Sequence, residues 1–249
     1  MKLFNKVNNK TSQEGVSAPS IFAVEDSRMI YTVSITDNIS DVFIYDEVLM
    51  LLENAEENDE IIFNIASYGG RLDSLLALRS GILSTKATVI GKLVSHACSA
   101  GGMLLLCCHN KIVYPNTTFH AHTASYGSYG KSADIKTQVD FETKQIEKLV
   151  YGIYEGFLDA ENEIPLLLDG KEFYFDAEET IKRLENQALM RDEQQSQAEQ
   201  DFLNSLQDGG VTEIIAELSD EELQEGLQLA TEAQKEIKKE IAKRKKGHK

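Results

Sequence analysis

Apolar positions along the chain change period several times, and each change predicts an element. Ile61-Ile-Phe-Asn-Ile-Ala66 is a β-branched and aromatic run of strand length, and Ser67-Tyr-Gly-Gly70 closes it before a helix beginning at Arg71. Thr88-Val-Ile-Gly-Lys-Leu-Val94 is a second apolar strand, which runs into the small residues of Ser95-His-Ala-Cys-Ser99 and reopens as the apolar helix Ala100-Gly-Gly-Met-Leu-Leu-Leu106. Lys111-Ile-Val-Tyr-Pro115 and Thr117-Thr-Phe-His-Ala-His122 read as further strands. Ser132 can cap a long helix from Ala133, because Ile135, Val139, Ile146, Leu149, Val150, Ile153 and Phe157 keep approximate helical spacing. Strands alternating with helices predict a layered α/β domain.

The two ends differ from this middle. Residues 1–20, rich in Asn, Lys and Ser with a glycine at 15, read as a flexible arm. Residues 21–190 form the α/β domain, and 191–249 a helical extension that starts acidic and ends basic. In the extension Asp208-Gly-Gly210 is a break, and Ser219 with Glu222 makes a capping box. Leu223, Leu227, Ala230, Ile237 and Ile241 then step by fours and threes, interrupted by Gln234, which suits a docking or partner-binding helix better than a coiled coil. The closing Lys243-Arg-Lys-Lys246 is a solvated helix end or a contact for an acidic partner.

Composition narrows the function classes. With 249 residues and 42% hydrophobic content the chain can bury one sizeable core. Its 41 acidic against 25 basic residues give a formal charge of −16, which disfavours nucleic acid and anionic membranes as partners. No run approaches the roughly 18 apolar residues of a membrane span, and the first ten residues lack the apolar centre of a secretory signal, so a cytoplasmic protein is expected. Cys98, Cys107 and Cys108 give no disulfide framework and read as reduced core residues. No His/Cys cluster has zinc spacing, so neither a metal nor another cofactor is expected.

The strand-to-helix turn at Ser99 is the chemically suggestive point. A side chain there stands clear of the sheet beside the unpaired amides of a helix start, where a developing oxyanion is favoured. Taken alone, Ser99 reads first as a helix cap. Gly69 and Gly70, ending the preceding strand, let backbone amides approach a ligand closely and, with the amide of Ala100, can form an oxyanion hole. His120 and His122 are two apart in an extended segment and share a face, so either can meet Ser99 and spacing does not choose. Cys98, next to Ser99, is a second possible nucleophile.

Taken in order, Ser67-Tyr-Gly-Gly70, Ala97-Cys-Ser99-Ala-Gly101, Pro115-Asn-Thr-Thr-Phe-His-Ala-His122 and Gly130-Lys-Ser-Ala-Asp-Ile135 resemble the proteolytic subunit of the Clp proteases over roughly residues 22–190. Ser27-Arg-Met-Ile30 and Phe173-Tyr-Phe-Asp-Ala-Glu-Glu179 extend the likeness at either end. The resemblance implies a ClpP/crotonase-like fold of repeated ββα units, here with a helical C-terminal extension. It implies Ser99 as nucleophile and His122, at a fixed step from Pro115-Asn116, as base, with His120 as a structural neighbour. Counting back five residues from Ala177 puts the third member at Glu172, where aspartate is usual, and Asp169 is the fallback. Viral Clp-like head-maturation proteases are similar in carrying glutamate followed by aromatics and Ala-Glu-Glu.

Several positions depart from the family pattern. Tyr68 stands for a proline in the double-glycine turn, Thr123 for the proline after the histidine, and the stretch between Ser99 and Pro115 is about two residues short. Ile181-Lys-Arg-Leu184 lacks the glycine expected near the end of the fold. The implied activity is a serine endopeptidase acting on proteins or peptides, in a viral setting a prohead or capsid maturation protease located in the host cytoplasm or the procapsid. The implied assembly is a homo-oligomeric ring joined through the long helix, with Ala124-Ser-Tyr-Gly-Ser-Tyr-Gly130 as a strand for extended substrate. No phosphate-binding loop occurs in the sequence, so an ATPase would be a separate partner, as would a capsid or scaffold protein. The alternatives are a catalytically inactive Clp-like scaffold subunit and a crotonase-type acyl-CoA enzyme, the latter disfavoured by the paired serine and histidine.

Overall fold

The period-two burial of Glu60–Ser67 explains how the sheet forms: Ile61, Phe63, Ile65 and Ser67 are buried on one face while the residues between them are half-buried. In the computed structural model, which describes residues 2–6, 19–25, 28–125, 127 and 129–207, this segment lies in the middle of an eight-stranded mixed sheet. Its strands are β1 (Lys2–Lys6), β2 (Ile21–Glu25), β3 (Met29–Ile35), β4 (Glu60–Ser67), β5 (Thr88–Cys98), β6 (Asn110–Val113), β7 (Thr118–Ala121) and β8 (Phe173–Phe175). The order is β1-β2-β3-β4-β5-β7-β8, with β6 also on β5. Strands β3, β4 and β5 are parallel, β5 is parallel to both β6 and β7, and β8 closes antiparallel on β7.

The eleven residues of β5 serve two partners in turn. Ile90–Leu93 pairs with β6, and His96–Cys98 pairs with β7. The intervening turn at Pro115 and Asn116, the latter at φ 61°, lets the chain leave the edge of β5 and rejoin it. This fixes where the second half of β5, and therefore Ser99, meets the histidine strand.

The helices are α1 (Asp46–Asn54), α2 (Leu72–Ser84), α3 (Ala100–Cys107), α4 (Ser132–Tyr154), α5 (Ile164–Leu168) and α6 (Ala177–Gln207). Every residue from Ala100 to Leu106 is buried, as suits a short helix that is apolar all round. The core joins Phe63, Ile65 and Leu93 of the sheet to Leu75, Leu78 and Ile82 of α2, Leu104–Leu106 of α3, and Tyr154 with Phe157 at the end of α4. The layered α/β arrangement that the alternating pattern predicts is therefore present.

Local differences from the sequence reading have physical causes. Lys2–Lys6, inside the stretch expected as an arm, pairs with β2, an added edge strand whose ladder bonds satisfy its backbone. Ser132 is the first residue of α4 rather than its cap, which is Lys131, and no side chain bonds the helix start. The described residues of 124–130 form no strand. Ile181-Lys-Arg-Leu184 lies inside α6, which contains neither glycine nor proline to stop it.

By internal contacts the chain divides into Met1–Arg191 and Asp192–Lys249. Within the first, Arg183 ties α6 down by donating to Glu163 at 2.7 and 3.0 Å, to Glu179 at 2.7 Å and to the Phe157 carbonyl at 3.0 Å, while lying 4.2 Å over the Phe175 ring. The capping box at Ser219, the apolar stripe Leu223–Ile241 and the basic run 243–246 lie outside the described residues. Among the described residues no helix is long and apolar enough to cross a membrane.

Candidate active site

Ser99 occupies the junction of β5 and α3 with φ 53° and ψ −125°, a conformation costing a non-glycine residue of order 1–3 kcal/mol. The surrounding bonds hold it there. Its amide donates to the His120 carbonyl at 2.9 Å, and its carbonyl accepts from the Met103 amide at 3.0 Å. Its hydroxyl makes no cap bond to the helix, so the chain here forms a strained elbow rather than a side-chain cap.

Against the elbow lies the double-glycine turn. Gly69 and Gly70 have φ of 104° and 142°. A β-carbon on Gly69 would come within 2.6 Å of the Ser99 β-carbon, and one on Gly70 would collide with the Ile39 carbonyl. Ile39 clamps the turn from both sides: its amide donates to the Gly69 carbonyl at 2.7 Å and its carbonyl accepts from the Arg71 amide at 2.8 Å. The Gly69 amide is already used, donating to the buried Ser67 hydroxyl at 3.1 Å. Of the three amides that sequence reasoning nominated, those of Gly70 and Ala100 have no partner among the described residues, and Ala100 is the first residue of a helix, where amides are orphaned.

Ser99, His122, Gly69, Gly70 and Ala100 line one cavity of about 1020 Å³, together with Tyr68, Met103 and residues of α4. His120 does not line it. It packs beneath, stacked on Tyr174 at 4.0 Å with nearly parallel rings and on His122 at 5.1 Å. Burial, and then the neighbouring His122, push the His120 pKa below the ordinary imidazole range, against the upward pull of Glu172.

Glu172 is brought to this histidine pair, whereas Asp169 ends α5 with no bond or ion pair from its carboxylate to either histidine among the described residues. Register explains the placement. His120 pairs with Tyr174 and Ala121 with Phe173 across the β7–β8 ladder, and one step further stand His122 and Glu172. The Glu172 carboxylate accepts from the Tyr174 hydroxyl at 2.6 Å and lies 3.4 Å from Nε2 of His120, which is buried without a well-aligned hydrogen bond. The tyrosine bond foremost, then both histidines, hold the carboxyl below the usual carboxylate range.

Sequence reasoning missed Tyr174 and the tilted ring contact of Tyr68 with His96 at 4.0 Å. The first was findable, since Tyr174 is two residues from Glu172 on a strand and so shares its face. Cys98 is a poor nucleophile because burial raises its pKa, leaving it a thiol, and it does not line the cavity. No group of metal-ligating side chains is present among the described residues.

A family model described as Clp protease matches residues 13–183. No curated protein matches the chain.

Proposed function

Because the chain belongs to the Clp protease family, a family of peptidases, we propose that it is a serine endopeptidase whose nucleophile is Ser99, base His122 and orienting acid Glu172. The observation carrying this reading is the strained elbow that presents Ser99 into a cavity shared with His122. His122 takes the hydroxyl proton as the Ser99 oxygen attacks the peptide carbonyl carbon. The oxyanion so formed is met by the amides of Gly70 and Ala100, and the protonated His122 then gives its proton to the leaving amine. Water, activated by the same imidazole, hydrolyses the acyl-enzyme. Glu172, kept ionised, orients His122 and stabilises its cation.

The substrate class is protein or peptide, bound in extended form along the cavity rim at Ala124, Ser125 and Gly127. A homo-oligomeric ring joined through α4 is in keeping with the exposed Phe141 on that helix. The glutamate-plus-aromatics block around Glu172 supports a processing role on a capsid or scaffold protein, in the host cytoplasm or procapsid, with the 191–249 extension as the partner-binding part. Reaction with a fluorophosphonate tests the chemistry: wild type gains one adduct on Ser99 and Ser99→Ala gains none. No adduct on a folded wild-type ring would instead assign an inactive scaffold role.

A further inference from the structure

A glutamate has three side-chain torsions, and one that is half exposed does not hold a single orientation without help. Glu172, with 52% of its side chain exposed, is given that help chiefly by the Tyr174 hydroxyl, which donates to Oε2 at 2.6 Å, while Nε2 of His120 stands further off at 3.4 Å. The Tyr174 ring is fixed in turn by its stack on His120 at 4.0 Å and 5°, and His120 is fixed by strand β7, whose carbonyl also receives the Ser99 amide. Oε2 faces Tyr174 and His120, and His122, whose charge also acts on the carboxylate, stands one residue beyond the last ladder pair, Ala121 with Phe173.

Resting on the triad reading above, we infer that Tyr174 is a positioning residue: its hydroxyl holds the Glu172 carboxylate so that one oxygen faces His122. The groups around this carboxylate are Tyr174 on β8 and His120 and His122 on or beside β7, with Cys98 of β5 acting on Tyr174. None of them is a fixed cation that would hold the carboxylate in the hydroxyl's absence. Because the pair is open to water, the hydroxyl competes with solvent and its effect is smaller than that of the acid itself.

Tyr174→Phe keeps the ring stack and removes only the hydroxyl, so the test compares it with wild type on a fluorogenic peptide across pH, alongside NMR titration of the histidine ring protons. A fall in kcat of about tenfold is expected, with KM and the thermal midpoint unchanged. The acid limb of kcat/KM and the His122 titration both move to lower pH, since a wandering carboxylate stabilises the imidazolium less. In a Glu172→Gln background the same change has no further effect. Unchanged kcat, an acid limb moving upward, or an equal loss in the Glu172→Gln background would overturn the inference. Should wild type neither hydrolyse peptide nor label at Ser99, the triad reading fails by itself, while an unmoved His122 titration in Tyr174→Phe separately rejects the hydroxyl's role.

Discussion

The Ser99 amide donates to the carbonyl oxygen of His120 at 2.9 Å, so the elbow carrying the candidate nucleophile is bolted to the strand that leads, two residues later, to the candidate base. The bond joins backbone to backbone and therefore survives side-chain substitution at both positions. Mutations of Ser99, His120 and His122 accordingly read chemistry more than architecture.

Ser99→Ala is expected to abolish peptide hydrolysis with little change in thermal midpoint, while Cys98→Ala keeps most of the activity. Digestion of a casein substrate by the purified variants checks both. Residual cleavage by Ser99→Ala equal to wild type would dismiss the serine mechanism.

His122→Ala should lose roughly 10³-fold or more in kcat/KM, the scale of a missing general base. His120→Ala should lose about tenfold or less, since His120 lies outside the cavity and acts on Glu172 from 3.4 Å. Steady-state kinetics on a short peptide decide the ranking. The reverse order would move the base to His120.

Gly69→Ala is expected to cost about 1–3 kcal/mol of stability, because an alanine at φ 104° is strained and its β-carbon crowds the Ser99 β-carbon and the Cys98 carbonyl. Any relaxation shifts the elbow, so fluorophosphonate labelling should slow as well. Denaturant unfolding and the labelling rate are the measurements, and a variant normal in both would show that the turn has slack.

Arg183→Met should destabilise the protein by about 2–3 kcal/mol, through loss of the paired bonds to Glu163 and of the Phe157 carbonyl's partner. The Arg183 bonds hold the Glu163 pKa below the carboxylate range. Stability from this pair is thus present above the ordinary carboxylate pKa and lost as pH falls through the lowered one. Unfolding curves of wild type and variant should therefore converge in acid, and a gap independent of pH would contradict the ion-pair origin.

Removing residues 208–249 should leave peptidase activity and the number of subunits per particle unchanged, since every candidate site residue precedes them. Light scattering and peptide kinetics on the truncated chain test it. Loss of hydrolysis would make the extension part of the enzyme.

Much of this was legible in the sequence because the site is built on periodic elements. The apolar run 61–66, the small residues before Ser99 and the alternation through 119–122 each impose one backbone shape, and Ser99, His122, Gly70 and Ala100 line one cavity, although spacing alone left His120 and His122 undecided. What escaped depends on cross-strand register and on competition for single atoms. No local pattern says that Ser67 takes the Gly69 amide, or that β8 aligns Tyr174 with His120. The run of α6 through 181–184, where the family's glycine is missing, is readable from the absence of helix breakers.

The way β5 is shared between β6 and β7 gives the site an uneven tolerance to change in chain length. Pairing of β7 with His96–Cys98 resets the alignment after the α3–β6 excursion, so residues gained or lost between Cys108 and Asn116 are absorbed upstream of the ladder. The stretch between Ser99 and Pro115 is about two residues short of the family pattern, and Ser99 and His122 still face one cavity. A single residue inserted between Thr118 and His122 has no such buffer: it would turn the imidazole to the opposite side of the sheet and bring the buried Ala121 side toward Ser99. Length variation in this enzyme should therefore be found before Thr118 and be absent from the four residues that follow it.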